Sequence, residues 1–577
     1  MSIALIAKGH SAYVISLRKN AEPPERFAAE ELRRYLHRIG GADLPMETES
    51  GRARVIRLTP TWKSVSPDAF SIQTRATKLI LSGASLRAVL YAVYTFLEEC
   101  LGCAWLRPGE ETIPNLAEVI VGPLDIRQQP SFRDRILVHF QYYRARALEQ
   151  IDWAAKQKLN ISFLCINHDL PLWDAEQTRE RVIPELRKRG MELRTPGHSF
   201  FTWLPPSKYF KTHPEYFTLK DGRRHANKYV CVSNPAVARE MAKNIRIFLR
   251  TNPEVKVITL WHTDLFEGFC ECEPCRALID SSERSFGYMY TNSCGDLRWT
   301  TPGLSTTRAE VCFLNRVAEQ IERSHPDVLV ESLAYATNNN PTCHDKPRRN
   351  VLVGFAVFDK LLAPEHALTP IAEGRFHKPA REYIREWRRQ SNHFYIYEYY
   401  GLFHDFTPLW NTMAKDFRFY RKLGVDGIST EIAGWNELHM HVFAKLAWNC
   451  RQPWRRIVRS YCEGAYGPAA DLMFEYWMAL QAAALPWNWN RKQANHVSEK
   501  NPLRKWFYAR QNPKWKRTDS RCRALLRQAN QLLRLLPLAR ESARSSAGPT
   551  PLDRVRCVQA RWDEVPATWW RTPADHL

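Results

Sequence analysis

Between residues 135 and 431, eight short apolar or alternating segments recur, mostly with helical stretches between them, and this rhythm constrains the fold more than any other feature. The segments are RILVHF (135–140), NISFLCI (160–166), GMELRTP (190–196), KVITLWH (256–262), VLVESLAYA (328–336), VLVGFAVF (351–358), HFYIYEY (393–399) and VDGISTE (425–431). Intervening pieces such as LEQIDWAAKQKL, TRERVIPELRKR, VAREMAKNIRIFL and AEVCFLNRVAEQIERS carry the apolar spacing of helices. Eight strand–helix units fit a closed parallel barrel. The predicted fold class is therefore α/β, a (β/α)8 TIM-like barrel. Its weakest point lies between strands five and six, where NNNPTCHDKPRRN offers no proper helix.

The flanks differ in character. Residues 1–126 read as a small α/β domain. ERFAAEELRRYLHRIGG is an amphipathic helix with Phe27, Leu32, Tyr35, Leu36 and Ile39 on one broad face and a Gly pair at its end. RARVIRL and KLILSG read as strands, and SLRAVLYAVYTFLEECLG as a second helix. The barrel is expected over 127–450. Residues 451–577 form a mostly helical C-terminal region, opened by PWRRIVRSYCEGAYGPAADLMFEYWMALQAAAL.

Composition excludes several classes. No run of eighteen apolar residues is present, so no membrane span or membrane partner is expected. The N-terminus MSIALIAKGHSAYVISL lacks the basic start and cleavage site of a secretion signal, which points to a cytoplasmic location. Fourteen cysteines in 577 residues are not a disulfide scaffold. The formal charge of +22 lies largely in late stretches such as NPLRKWFYARQNPKWKRTDSRCR and reads as a solvated basic face. No nucleic-acid-binding signature accompanies it, so a nucleic-acid partner is disfavoured. No phosphate-binding glycine loop is present either. A homo-oligomer is compatible with the sequence.

Barrel enzymes place their chemistry after the C-terminal ends of the strands. That rule selects His198 after strand three; His262, Asp264 and Glu267 after strand four; Tyr335 after strand five; and Asp359 after strand six. It also selects Glu398 and Tyr399 at strand seven, and Glu431 and Trp435 at strand eight. Asp264, Glu267, Asp359 and Glu398 are expected to be catalytic and His198, His262, Tyr335, Tyr399, Glu431 and Trp435 to bind the substrate, while a retaining enzyme would use Glu398 or Glu431 as nucleophile. Carboxylates among aromatic and histidine residues suit glycoside hydrolysis. One acid protonates the leaving oxygen, and a second group activates water or attacks the anomeric carbon. Aromatic rings stack on sugar faces and lower the local dielectric. Each Asp or Glu alone also fits a turn or helix cap, and Glu398, interrupting YIYEYYG, also fits an internal salt bridge.

AAEELRRYLHRIGGADLP followed by LGCAWLRPGEETIP resembles the N-terminal domain of family 67 α-glucuronidases and family 20 hexosaminidase-like enzymes. HTDLFEGFCECEPC and FLNRVAEQIERSHPDVLVESLAYA resemble the DUF4838 family. The resemblance covers roughly residues 1–480. It implies a hydrolase-like barrel behind a small α/β domain. In the α-glucuronidases a glutamate after strand four is the acid, while an aspartate after strand six and a glutamate after strand seven assist water. Glu398 matches the last and Asp359 the second. Strand four departs from the pattern, offering Asp264 with Glu267 three residues on. The adjacent Asp-Glu pair of the hexosaminidases does not occur there, and TPGHSF resembles their Gly-His element, which gives His198 a role on sugar hydroxyls.

The same loop contains Cys270, Cys272 and Cys275 in a C-x-C-x2-C pattern. Such thiolates can share a zinc ion; Cys294 or His262 would be the fourth ligand, and reduced cysteines packing a loop are the alternative. A closed set of four sulfurs would make the zinc structural, and no cofactor is required for catalysis. The expected function is a glycoside hydrolase acting on an oligosaccharide, with a uronic acid as the favoured sugar. Arg133, Arg135 and Arg194 are candidates to bind its carboxylate. The alternatives are a retaining exo-glycosidase of hexosaminidase-like type and a non-catalytic carbohydrate-binding or structural barrel.

Overall fold

A computed structural model describes residues 2–139, 143–163, 178–195, 197–263, 269–279, 289–291, 297–299, 305–357, 360, 368–375, 377–400, 408–432 and 437–484, with 535, 538–539, 552–556 and 558. The N-terminal part contains β1 (Ile3–Ala7), β2 (Val14–Leu17), α1 (Pro23–Gly40), β3 (Met46–Thr48), β4 (Val55–Thr59), β5 (Phe70–Arg75), β6 (Lys78–Gly83) and α2 (Leu86–Thr95). The short strands β7 (Ala104–Arg107), β8 (Glu110–Thr112), β9 (Glu118–Val121) and β10 (Asp125–Gln128) complete it. Six of these strands form one mixed sheet in the order β10-β5-β6-β4-β2-β3. The expected apolar face of α1 is in place: Phe27, Leu32, Tyr35, Leu36 and Ile39 are all buried. Gly41 ends this helix at φ 76°, a left-handed conformation open to glycine, and its N–H returns to the His37 carbonyl.

The barrel begins with β11 (Asp134–His139), α3 (Tyr143–Lys156), β12 (Ile161–Phe163), α4 (Ile183–Arg189) and β13 (Glu192–Arg194). A hairpin of β14 (Phe217–Lys220) and β15 (Arg223–Val230) precedes α5 (Pro235–Thr251) and β16 (Val257–Thr259). A second hairpin pairs β17 (Met289–Thr291) with β18 (Leu297–Trp299). Then come α6 (Thr307–Glu322), β19 (Leu329–Ala334), β20 (Val351–Ala356), α7 (Lys378–Gln390), β21 (His393–Glu398), α8 (Trp410–Lys422), β22 (Gly427–Ile432) and α9 (Glu437–Trp448). The eight parallel strands close in the order β11-β12-β13-β16-β19-β20-β21-β22, one for each segment marked in the sequence. No α-helix joins β19 to β20, in keeping with NNNPTCHDKPRRN. Helix α7 braces this connection: Trp387 Nε1 donates to the Asn339 carbonyl at 2.8 Å and Gln390 Nε2 to the Thr342 carbonyl at 3.0 Å. Helices α10 (Trp454–Tyr466) and α11 (Ala470–Ala484) follow the barrel. No helix among the described residues is long and apolar enough to cross a membrane.

Buried ion pairs and aromatic contacts bind the N-terminal sheet to the barrel. Asp68 receives Arg87 Nη2 at 2.8 Å and Arg135 Nη2 at 2.7 Å. Burial would raise the Asp68 carboxyl pKa, but the two guanidiniums reverse that and hold it below the usual range. Trp448 of α9 stacks on Phe70 at 5.7 Å and donates to Gln128 Oε1 at 2.9 Å. These contacts hold the N-terminal sheet against the start of β11 and the end of α9.

Candidate active site

Which face of the wall each side chain occupies decides its chemistry. Ile136, Val138, Ile161, Val257, Trp261, Leu333, Tyr335, Leu352, Tyr395, Tyr397 and Tyr399 form one cluster, the barrel interior. Phe394, Ile396 and Tyr400 belong to the other cluster, between strands and helices. Successive side chains of a strand alternate, so Glu398 shares the outer face with Phe394, Ile396 and Tyr400.

Its contacts agree. Lys360 Nζ lies 3.1 Å from Glu398 Oε1, and the Tyr400 hydroxyl donates to the same oxygen at 3.0 Å. The Tyr420 hydroxyl of α8 donates to it as well. Lys360 also pairs with Asp416 of α8, whose Oδ2 accepts from the Tyr400 hydroxyl at 2.7 Å. Burial raises the Glu398 carboxyl; Lys360 opposes this, and the nearby Asp416 adds to it. Burial would lower the Lys360 ammonium, yet Asp416 and Glu398 outweigh it and hold it above its usual value. This arrangement is a buried network inside the wall in which one ammonium is shared by two carboxylates. The expectation that Glu398 lines the pocket is corrected accordingly: Glu398 is fully enclosed between β21 and α8.

Glu431, the penultimate residue of β22, faces the other way. Tyr397, on the interior face of β21, donates its hydroxyl to Glu431 Oε1 at 2.5 Å. Tyr397 meets Trp261 edge-on at 5.6 Å and Tyr399 at 5.5 Å. Trp261 in turn meets His198 edge-on at 5.6 Å. His198 Nδ1 is 2.5 Å from the His262 carbonyl. The His262 ring stacks on Tyr335 at 6.0 Å. One connected floor at the C-terminal end of the strands therefore brings together Glu431, Tyr399, His198, His262 and Tyr335 with two rings, Tyr397 and Trp261, that the sequence reading did not select as site residues. Their signal was available, because Trp261 immediately precedes His262 and Tyr397 alternates with Tyr399.

The floor is held from its sides and from below. Ser199 Oγ and Trp203 Nε1 donate to the Thr259 carbonyl at 2.7 and 3.2 Å, which fixes the segment bearing His198. Ala336, next to Tyr335, sits at φ 59°, a strained conformation for a residue with a Cβ. Deeper in the barrel, Glu331 accepts from Tyr395 at 2.7 Å and from Trp261 Nε1 at 3.2 Å and pairs with Arg194 at 3.0 Å. Burial lifts its carboxyl pKa although Arg194 opposes the rise. Gly354 leaves room for the Tyr395 ring, since a Cβ there would lie 2.4 Å from it.

The three arginines proposed for a substrate carboxylate are all engaged elsewhere. Arg133 pairs with Asp134 at 3.0 Å, Arg135 with Asp68, and Arg194 with Glu331. Asp264, Glu267, Asp359 and Trp435 lie outside the described residues, as does Cys294.

The cysteines of the loop after β16 do converge, with a different fourth member. The Sγ atoms of Cys231, Cys270, Cys272 and Cys275 all lie within 4.8 Å of one another. Cys231 directly follows β15. It occupies the position expected for Cys294 or His262. His262 is committed elsewhere, with Nδ1 2.8 Å from the Thr263 carbonyl and Nε2 3.2 Å from the Tyr335 carbonyl.

A closed parallel barrel behind a small mixed sheet, with a carboxylate and aromatic floor at the strand ends, is a glycoside hydrolase-like fold. The chain belongs to the DUF4838 family, whose description is "Domain of unknown function (DUF4838)" and which matches residues 105–478. No curated relative matches its sequence. Among solved structures, a family 115 4-O-methyl-α-glucuronidase with specificity for decorated arabinogalactans is similar at TM-score 0.61 and 12% identity, over 96% of this chain and 71% of that one. A family 138 enzyme targeting pectin rhamnogalacturonan II gives TM-score 0.57 and 10% identity, over 95% and 67%. A β-N-acetylhexosaminidase from Bacteroides fragilis gives 0.48 and 13%, over 78% and 89%.

Proposed function

We propose that this protein is a glycoside hydrolase that cleaves an oligosaccharide, with a uronic-acid residue as the favoured sugar. The observation that carries the reading is Glu431: a carboxylate at the end of a barrel strand, on the interior face, held by Tyr397 and bordered by Trp261, His198, Tyr335 and Tyr399. Glu431 serves as base or nucleophile. Asp264 or Glu267, which follow β16 in sequence, supplies the acid, and Asp359, following β20, assists. His198, His262, Tyr335, Tyr399 and Trp435 bind the sugar. The fold it shares with an α-glucuronidase and a pectin-targeting enzyme supports the substrate class.

A barrel that binds carbohydrate without cleaving it is the second reading. It is favoured by the enclosure of Glu398, which removes one of the expected carboxylates from the pocket. Incubation with aryl uronides and uronic-acid-terminated oligosaccharides separates the two. Hydrolysis is the expected result, with NMR of the first-released anomer assigning inversion or retention. Saturable binding with no sugar released would establish the second reading instead.

A further inference from the structure

Four thiols from two separate stretches of the sequence meet beside the barrel mouth. Cys231 stands at the junction between β15 and α5, while Cys270, Cys272 and Cys275 lie beyond β16. Cys231 Sγ is 3.6 Å from Cys272 Sγ and 3.8 Å from Cys275 Sγ. These are far too long for disulfides, and all four cysteines are free. A tetrahedral ion with metal–sulfur bonds of about 2.3 Å places its sulfurs about 3.8 Å apart, so the spacing already suits such an ion. Three of the four are buried, and Cys272 is half-buried.

The surroundings suit thiolates. Leu219 N–H donates to Cys270 Sγ at 3.3 Å. Ser233 Oγ lies 3.1 Å from Cys275 Sγ and 3.6 Å from Cys272 Sγ. The Arg224 guanidinium is 3.9 Å from Cys270 Sγ, a cation beside a centre whose four thiolates would carry more negative charge than a divalent ion cancels.

We infer that Cys231, Cys270, Cys272 and Cys275 bind one zinc ion in a closed tetrathiolate site. With four protein sulfurs no coordination position is left for water or substrate, so the ion is structural. It ties the end of the β14–β15 hairpin to the segment after β16. The same two segments are zipped by the Glu271 N–H donating to the Leu219 carbonyl at 2.7 Å and by Lys220 paired with Glu271 at 2.5 Å. Cys270, six residues beyond Asp264 and three beyond Glu267 in sequence, is thereby fixed to the hairpin. This assignment does not rest on the hydrolase reading.

Metal analysis of the purified full chain tests it. About one zinc per chain is expected, released when a mercurial titrates the thiols. Growth in cobalt should give the intense sulfur-to-cobalt charge transfer and tetrahedral bands of four thiolates. Cys231→Ser should lose the metal or shift the cobalt bands to a three-sulfur pattern, whereas Cys294→Ser should keep both unchanged. The cobalt spectrum of the unmutated chain remains decisive if Cys231→Ser fails to fold. A chain that takes up neither zinc nor cobalt, one that holds iron instead, or loss of metal in Cys294→Ser would overturn the assignment.

Discussion

Glu398 and Glu431 lie near the ends of neighbouring barrel strands, both are buried, and both accept hydrogen bonds from tyrosine, yet they lie on opposite faces of the wall. Glu398 points into the layer shared with α8, where Lys360, Tyr400 and Tyr420 surround it and Asp416 competes for the same lysine. Glu431 points into the barrel, where the Tyr397 hydroxyl donates to it and Trp261 borders that phenol. The first arrangement resists change and resembles a fastening. The second holds a carboxylate at the end of the barrel where these folds place chemistry. Burial and a tyrosine partner therefore do not decide whether a strand-end carboxylate faces the barrel interior; its position in the strand's alternation does.

The largest effect on the wall side should come from Lys360→Met. It leaves Glu398 and Asp416 together without their cation, and breaking a buried pair in this way costs about 3–5 kcal/mol. Urea unfolding should show the loss, while turnover at a temperature where the variant is folded should stay near the parent value. Gly354→Ala should be milder, about 1–3 kcal/mol, because the added methyl group collides with the Tyr395 ring and disturbs its bond to Glu331. A paired phenol test sharpens the contrast. Tyr397→Phe should lower kcat about tenfold, as expected for loss of a hydrogen bond to a charged group, with little change in thermal midpoint. Tyr420→Phe should do the reverse, lowering the midpoint and sparing kcat.

The wall between the barrel and the N-terminal sheet should also depend on pH. Burial holds the His441 imidazole down at about 3, with Lys445 contributing in the same direction. Glu98 is lowered to about 2: burial opposes this, but Lys445 and Lys158 overcome it. Both groups bind protons more readily in the unfolded chain, near pH 6.5 for His441 and 4.5 for Glu98. Their contribution to stability is complete above about pH 6.5 and is lost as pH falls through that range toward 2. Thermal midpoints measured from pH 7 to 4 should fall, and His441→Phe should flatten the part between 6.5 and 4.5.

Strand positions were legible in the sequence because a barrel strand is a short apolar run between helical stretches. The orientation of β21 was not. In FYIYEYY both faces are apolar or aromatic, since one packs inside the barrel and the other beneath helices, so alternation alone could not say which face Glu398 shared. The charged partners that identify its face, Lys360 and Asp416, come from separate segments. Cys231 was hidden for a similar reason. It lies in KYVCVSNP, well before the C-x-C-x2-C loop, and only the β14–β15 hairpin brings it there. The arginines were misleading because sequence shows their charge and not the acids that consume it. His198, His262, Tyr335, Tyr399 and Glu431 were selected by the strand-end rule because each closely follows an apolar run, and they lie near one another at the strand ends.

The most direct test compares Glu431→Gln with Glu398→Gln for turnover of a uronic-acid-terminated oligosaccharide, alongside thermal unfolding of each. Glu431→Gln is expected to lose about a thousandfold in kcat, within the range for a missing acid–base group, and to unfold like the parent. Glu398→Gln is expected to stay active and to unfold at a lower temperature. A Glu431→Gln protein with parental turnover, or a stable Glu398→Gln protein with none, would contradict this division of roles.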